Sequence, residues 1–131
     1  MEVTRLGIMR NLSEDNCPAA RALDVIGERW SLLIVREALG GACRFDDFRA
    51  RLPISENTLT RRLSELVERQ IMNRRPYQSG PTRYEYVLTD RGRALVGILS
   101  SLAEWGDRWT EPDPSGPVPP AVPAWLSTQG R

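Results

Sequence analysis

Arg61 and Arg62 stand side by side just after Asn57 and Thr58, and these side chains suit the reading of nucleic-acid edges. A guanidinium is a planar fork that matches guanine O6 and N7, or two phosphate oxygens; a carboxamide matches adenine N6 and N7. The chemistry requires that they share a surface. In the stretch SENTLTRRLSELVERQ, Leu59, Leu63, Leu66 and Val67 recur at i, i+4, i+7 and i+8, which predicts a helix with one apolar stripe. At about 100° per residue the opposite face carries Asn57, Arg61, Ser64 and Glu68, with Thr58 and Glu65 beside it. Thr60 and Arg62 fall on the flanks. Ser55 is a good N-cap. Asn57 and Arg61 are therefore expected to meet bases, with Ser55 and Thr58 at the same end. Arg62 is expected to meet phosphate. Glu65 and Glu68 would repel phosphate, so the N-terminal half is the end suited to a groove. The alternative for any such face is simple solvation.

The helix runs directly into two short alternating patterns, IMNRRPY and RYEYVLT, joined by Gln78-Ser79-Gly80-Pro81. Gly and Pro supply turn chemistry, and Tyr84, Tyr86 and Leu88 alternate with Arg83, Glu85 and Val87 as in a strand. Arg74, Arg75, Gln78 and Arg83 are candidates for phosphate or minor-groove contact. Pairing of Arg75 or Arg83 with Glu85 is an equal alternative. Arg44, at the start of the preceding helix pattern, is a further backbone candidate. A polar, arginine-bearing helix followed by a basic hairpin outlines a winged helix-turn-helix, mainly α with a small β-wing.

Upstream elements must position that unit. CPAARALDVIG reads as a helix with Pro18 at its first position, with Ala19, Leu23 and Ile26 on one face and Gly27 as the stop. WSLLIVREAL places Trp30, Leu33, Ile34 and Leu39 at core spacing before Gly40-Gly41. FDDFRARL points Phe45, Phe48 and Leu52 inward, and Pro53-Ile54 connects it to Ser55. Downstream, Thr89 is expected to cap one last helix, DRGRALVGILSSLAEWGDRW. Its apolar residues Leu95, Ile98, Leu99, Leu102, Trp105 and Trp109 make a wide stripe. That is much surface for so small a core, which favours a dimer interface over packing within the chain. Beyond Thr110 the pattern ends, and six prolines fall between 112 and 123, as in a flexible or polyproline-like tail. The chain divides into an arm (1–16), a helix-and-hairpin domain (17–109) and a Pro-rich tail (110–131).

Length and charge agree with one domain. The net charge of +1 conceals a gradient. Residues 44–93 hold eleven Arg against seven acids, while the flanking segments are slightly acidic. Positive charge thus sits on the segment that would face phosphate. All 18 basic residues are Arg; their spread along the whole chain favours codon bias over selection for guanidinium contacts. With no His, the commonest general base and zinc ligand are missing. Asp46 and Asp47, adjacent on a helix, point about 100° apart and cannot share an acid–base site. No catalytic site, metal site or cofactor is implied, and an enzyme is disfavoured. Two cysteines are too few for a disulfide scaffold and suit a reducing compartment. No apolar run approaches the roughly 18 residues of a membrane span, and the first residues lack a signal peptide's apolar core. A cytoplasmic protein without membrane attachment is expected.

The order CPAARALDVIGERWSLLIVREALGG, RFDDFRARLPIS, LTRRLSELVERQI, RRPYQSGPTRYEYVLTDRGRAL and WGDRW resembles the HxlR-type, MarR-like winged-helix transcriptional regulators. The resemblance spans about residues 17–109. It implies a homodimer, paired through first and last helices, that binds a pseudo-palindromic double-stranded DNA operator in the cytoplasm; a repressor is expected. Many relatives carry Gly before the Ile-Ser of the turn, where this chain has Pro53. Cys17 lies at a helix N-terminus, where the macrodipole favours thiolate. The resemblance implies that such a cysteine senses oxidants or electrophiles; the alternative is a small buried apolar residue. The identity of any small-molecule or electrophile effector stays open. So does a winged-helix module that binds protein and not DNA.

Overall fold

The computed structural model describes residues 12–116. After a 3-10 turn at Leu12–Glu14 come helices α1 (Pro18–Ile26), α2 (Arg29–Leu39), α3 (Phe45–Arg51) and α4 (Glu56–Glu68). Strands β1 (Met72–Gln78) and β2 (Arg83–Leu88) follow, then α5 (Asp90–Arg93) and α6 (Val96–Trp109). The expected arm and tail lie largely outside the described residues.

Helices α2, α3 and α4 start where backbone donors find a side-chain acceptor. Glu28 caps α2 by accepting from the Trp30 N–H at 2.8 Å. At α3, Asp47 Oδ2 accepts from the backbone N–H groups of Cys43 and Arg44 at 3.1 and 3.0 Å. These two bonds, that to Arg44 foremost, hold the Asp47 carboxyl below its ordinary range. Ser55 Oγ accepts from Thr58 N–H at 3.2 Å and opens α4. The α3–α4 turn is tight. Ile54 N–H donates to Leu52 carbonyl oxygen at 2.8 Å, and both side chains are buried around exposed Pro53.

The core fills from all these elements. Phe48, Ile34, Val35, Leu59, Leu63, Leu66, Ile71 and Met72 are its largest fully buried side chains. The apolar stripe of α4 is thus inward as its spacing predicts, with Val67 half-buried at the margin. On α1 only Ile26 is buried, and Leu23 stands exposed. Of the face expected there, Ile26 joins the core, while Ala19 and Leu23 are exposed.

Two joints place the hairpin. Helix α4 ends with Gln70 at φ 64°. Gln70 N–H donates to Val67 carbonyl and Ile71 N–H to Leu66 carbonyl, at 3.0 and 2.9 Å, a Schellman ending that turns the chain into β1. The hairpin pairs Met72 with Leu88, Arg74 with Tyr86 and Pro76 with Tyr84, and a bulge at Tyr77 shifts the register before Gln78 meets Arg83. The turn between the strands uses Gly80 at φ 66°, where a side chain would be strained. On the outer side Arg44 bridges to Glu85, and Tyr86 N–H donates to Cys43 carbonyl at 2.7 Å. The segment before α3 therefore acts as a short third edge.

The single last helix expected after Thr89 is instead two. Thr89 Oγ1 accepts from Gly92 N–H and donates to carbonyls at the α4–β1 joint. Gly92 packs so closely that a Cβ would lie 2.2 Å from the Ile71 carbonyl oxygen. Leu95 N–H then bonds back to Gly92 at i−3, a tightened turn that redirects the chain. From there α6 runs along α2.

Candidate nucleic-acid interface

The five site residues expected on α4 and at its cap divide by environment. Asn57 and Arg61 are exposed. Arg61 has no carboxylate partner among the described residues. Ser55 spends its hydroxyl within the cap, donating to Thr58 Oγ1 at 2.8 Å, so both hydroxyls are tied to the helix start. Arg62 is engaged elsewhere. Its NH1 donates to Glu65 Oε1 at 2.8 Å, and its Nε lies 3.2 Å from Glu28 Oε1, without a hydrogen bond's alignment. The side chain is only 20% exposed. Since Glu28 also caps α2, Arg62 clamps α4 to the start of α2, and its guanidinium is held in the charged form chiefly by Glu65. The phosphate role expected for Arg62 does not fit this geometry, because the side chain is folded in between two carboxylates that already balance its charge.

The hairpin sorts its arginines in the same way. Arg75 Nε donates to Glu85 Oε1 at 2.8 Å. That bond is the main reason the Glu85 carboxyl titrates below its usual range. Arg74 is exposed and has no carboxylate partner among the described residues, and its guanidinium lies 4.3 Å from the centre of the Tyr84 ring. Arg44, exposed at the start of α3, lies 4.0 Å over Tyr77. Arg83 is exposed near the hairpin tip, and Gln78 Nε2 donates to Pro81 carbonyl at 3.4 Å within the turn. An open groove of about 680 Å³ runs between α4 and the hairpin, lined by Arg61, Ser64, Glu65, Val67, Glu68, Arg74 and Tyr86. Arg61 and Arg74 thus stand on its two walls. A second hollow, between the hairpin and the start of α3, brings Arg44 and Arg83 together with Tyr77 and Tyr84. The three tyrosines were not among the expected site residues. Their signal was present in the strand register, which sets Tyr86 opposite Arg74 and Tyr84 one pair further along the same face.

Elsewhere, the wide apolar arc of α6 separates into two. Leu95 and Leu99 are each 8% exposed and belong to this chain's core, which corrects their expected place in an interface. They lie one turn apart on the side turned towards the core. Ile98, Leu102, Trp105 and Trp109 form the neighbouring stripe, and Leu102, Trp105 and Trp109 are 51, 61 and 64% exposed.

The two cysteines differ. Cys17 is exposed at the N-cap of α1, its N–H held by Asp15 Oδ1 at 2.8 Å. Cys43 is half-buried, with Sγ 3.7 Å from Glu85 Oε2. Burial first, then the charges of Glu85 and Asp47, push its thiol pKa up. Among the described residues no cluster of three or more acids or thiols is arranged to hold a metal ion. No described helix is long and apolar enough to cross a membrane.

A short turn between two helices, the second exposed and arginine-bearing, followed by a packed hairpin, defines a winged helix-turn-helix of the transcription-factor class. Residues 25–114 match the HxlR-like helix-turn-helix family, and the chain belongs to it. It is 47% identical over 97 residues to an HTH-type transcriptional regulator of Mycobacterium tuberculosis, covering 74% of this chain and 61% of that protein. The chain therefore spans less than two thirds of that relative's length. Among solved structures, PA1607 superposes with a TM-score of 0.74 at 41% identity, covering 83% of this chain and 76% of the other. The redox regulator HypR in its oxidized form gives a TM-score of 0.66 at 36% identity, covering 73% of this chain and all of that one.

Proposed function

We propose that this family member is a cytoplasmic homodimer that binds a two-fold symmetric DNA operator and regulates transcription, as a repressor. One observation carries the reading. Arg61 on α4 and Arg74 on β1 face one open groove, and neither has a carboxylate partner among the described residues. Unpaired guanidiniums on a helix and its wing suit a DNA groove and the adjoining backbone. The exposed stripe of α6 supports a dimer, since four large apolar side chains on one helix face favour burial against a second copy. In the dimer each protomer's α4 would enter one of two successive major grooves, about 34 Å apart.

Selection of bound sequences from a random duplex pool tests this. A two-fold symmetric motif is expected, with affinity that falls steeply with salt. No enrichment, together with salt-independent retention, would favour a protein-binding module instead. Regulation through Cys17 also belongs to this proposal. It rests on the exposed thiol at the start of α1 and on the similarity to a redox regulator.

A further inference from the structure

Among the arginines of the helix-and-hairpin surface, two kinds of partner recur. Arg62, Arg75, Arg93 and, at 3.7 Å, Arg49 meet carboxylates. Arg44 and Arg74 meet aromatic rings instead, at 4.0 and 4.3 Å from the ring centres. A carboxylate consumes guanidinium donors and cancels the charge. A ring covers only one face of the guanidinium plane, so the N–H groups that radiate in that plane stay available. The stack also limits the rotamers of a long side chain that would otherwise lose freedom on binding.

The fold builds both stacks deliberately from its register. Arg74 pairs with Tyr86, and Tyr84 is the next residue on that strand face, within diagonal reach. Tyr77 is the residue left over by the bulge between Pro76 and Gln78, and a bulge re-aims a side chain. Its ring lies against Arg44, whose backbone is already fixed by the bridge to Glu85 and the bond from its N–H to Asp47. The two guanidiniums line different hollows. Arg74 faces the groove it shares with Arg61; Arg44 lines the second hollow with Tyr77, and Tyr84, the partner of Arg74, lines that hollow too.

We propose that Tyr84 and Tyr77 are positioning residues for nucleic-acid backbone contact: each holds one guanidinium, Arg74 or Arg44, pre-set to give a two-pronged bond to a DNA phosphate beside the wing. The inference rests on the DNA-binding reading and deepens it. The rings themselves touch no phosphate; they act through the arginines. Two-pronged donation to phosphate is the geometry for which a planar guanidinium is suited.

A double-mutant cycle on the full chain tests it, with fluorescently labelled random duplex DNA as the probe and anisotropy read across a salt series. Arg74→Ala should lower the salt slope by about one. Tyr84→Leu should weaken binding roughly two- to fivefold, the scale of an exposed cation–π contact. Tyr84→Phe, which keeps the ring, should bind as the parent does. In an Arg74→Ala background, Tyr84→Leu should cost nothing more. The same cycle applies to Tyr77 and Arg44. Equal losses from Tyr84→Leu with and without Arg74 would overturn the inference, as would a loss in Tyr84→Phe, which would place the hydroxyl itself on DNA. If the parent binds with a steep salt slope and the cycle shows no coupling, only the positioning role fails. If the parent shows no salt-dependent binding, the DNA-binding reading fails with it.

Discussion

Arg61 and Arg62 are neighbours with the same side chain and opposite circumstances. Arg61 projects from α4 into an open groove, while Arg62 is folded down between Glu28 and Glu65. Their substitution should therefore separate binding from stability. Arg61→Ala is expected to cost about 1–3 kcal/mol of preference for the selected operator over random DNA, with an unchanged unfolding midpoint. Arg62→Ala leaves two half-buried carboxylates without their cation and should destabilise the fold by about 1–2 kcal/mol, with little change in salt slope. Anisotropy and urea titration of both variants measure the split; equal loss of operator preference in the two would contradict it. The thiols diverge for a similar reason. Cys43 is held protonated by burial and two carboxylates, whereas Cys17 is open to solvent. Diamide should alter operator affinity in the parent and in Cys43→Ser, and leave Cys17→Ser unaffected. A response that survives in Cys17→Ser would remove Cys17 as the sensor.

At the scale of elements, the junction between α4 and β1 sets where the wing points. It depends on Gln70 holding a left-handed conformation, which costs an L-residue about 1 kcal/mol. Gln70→Gly relieves that cost, less glycine's own loss of freedom in folding, and is expected to raise stability by about 0.5 kcal/mol. The urea midpoint should rise with an unchanged m-value; a fall would mean that the Gln70 side chain contributes more than its backbone costs. The opposite holds at Gly92. There the backbone is ordinary, but the Ile71 carbonyl leaves no room for a Cβ. That contact, with Thr89 bonded on both sides, breaks the last helix into α5 and α6. Helical periodicity alone runs through residues 90–109 without a break, because a steric stop imposed by another segment leaves no mark on a local repeat.

For the whole molecule, the outward stripe of α6 is the large apolar surface that the described residues leave exposed. Ile98, Leu102, Trp105 and Trp109 add little to the protomer's core. Leu102→Glu should therefore change protomer stability by less than about 0.5 kcal/mol. It should also shift the sedimenting species from dimer to monomer and weaken operator binding. A parent protein that sediments as a monomer would overturn the dimer. The sequence identified this helix as apolar over a wide arc. It did not divide the arc, since Leu95 and Leu99 differ from Ile98 and Leu102 only in which side meets α2.

The chain's own order of residues determined the elements and their chemistry: the stripe of Leu59, Leu63 and Leu66, the Ser55 cap, the Gly80 turn, and an arginine-rich segment from 44 to 93. These are local properties, written in periods of a few residues and in side-chain type. Tertiary structure alone decided which arginines stay free, because that depends on what a distant segment brings within a few ångströms. Glu28 reaches Arg62 from another helix, Glu85 reaches Arg75 across the hairpin, and Tyr77 reaches Arg44 through a bulge. Charge pairing and stacking are short-ranged in space and indifferent to separation along the chain, so no local pattern encodes those that join distant segments.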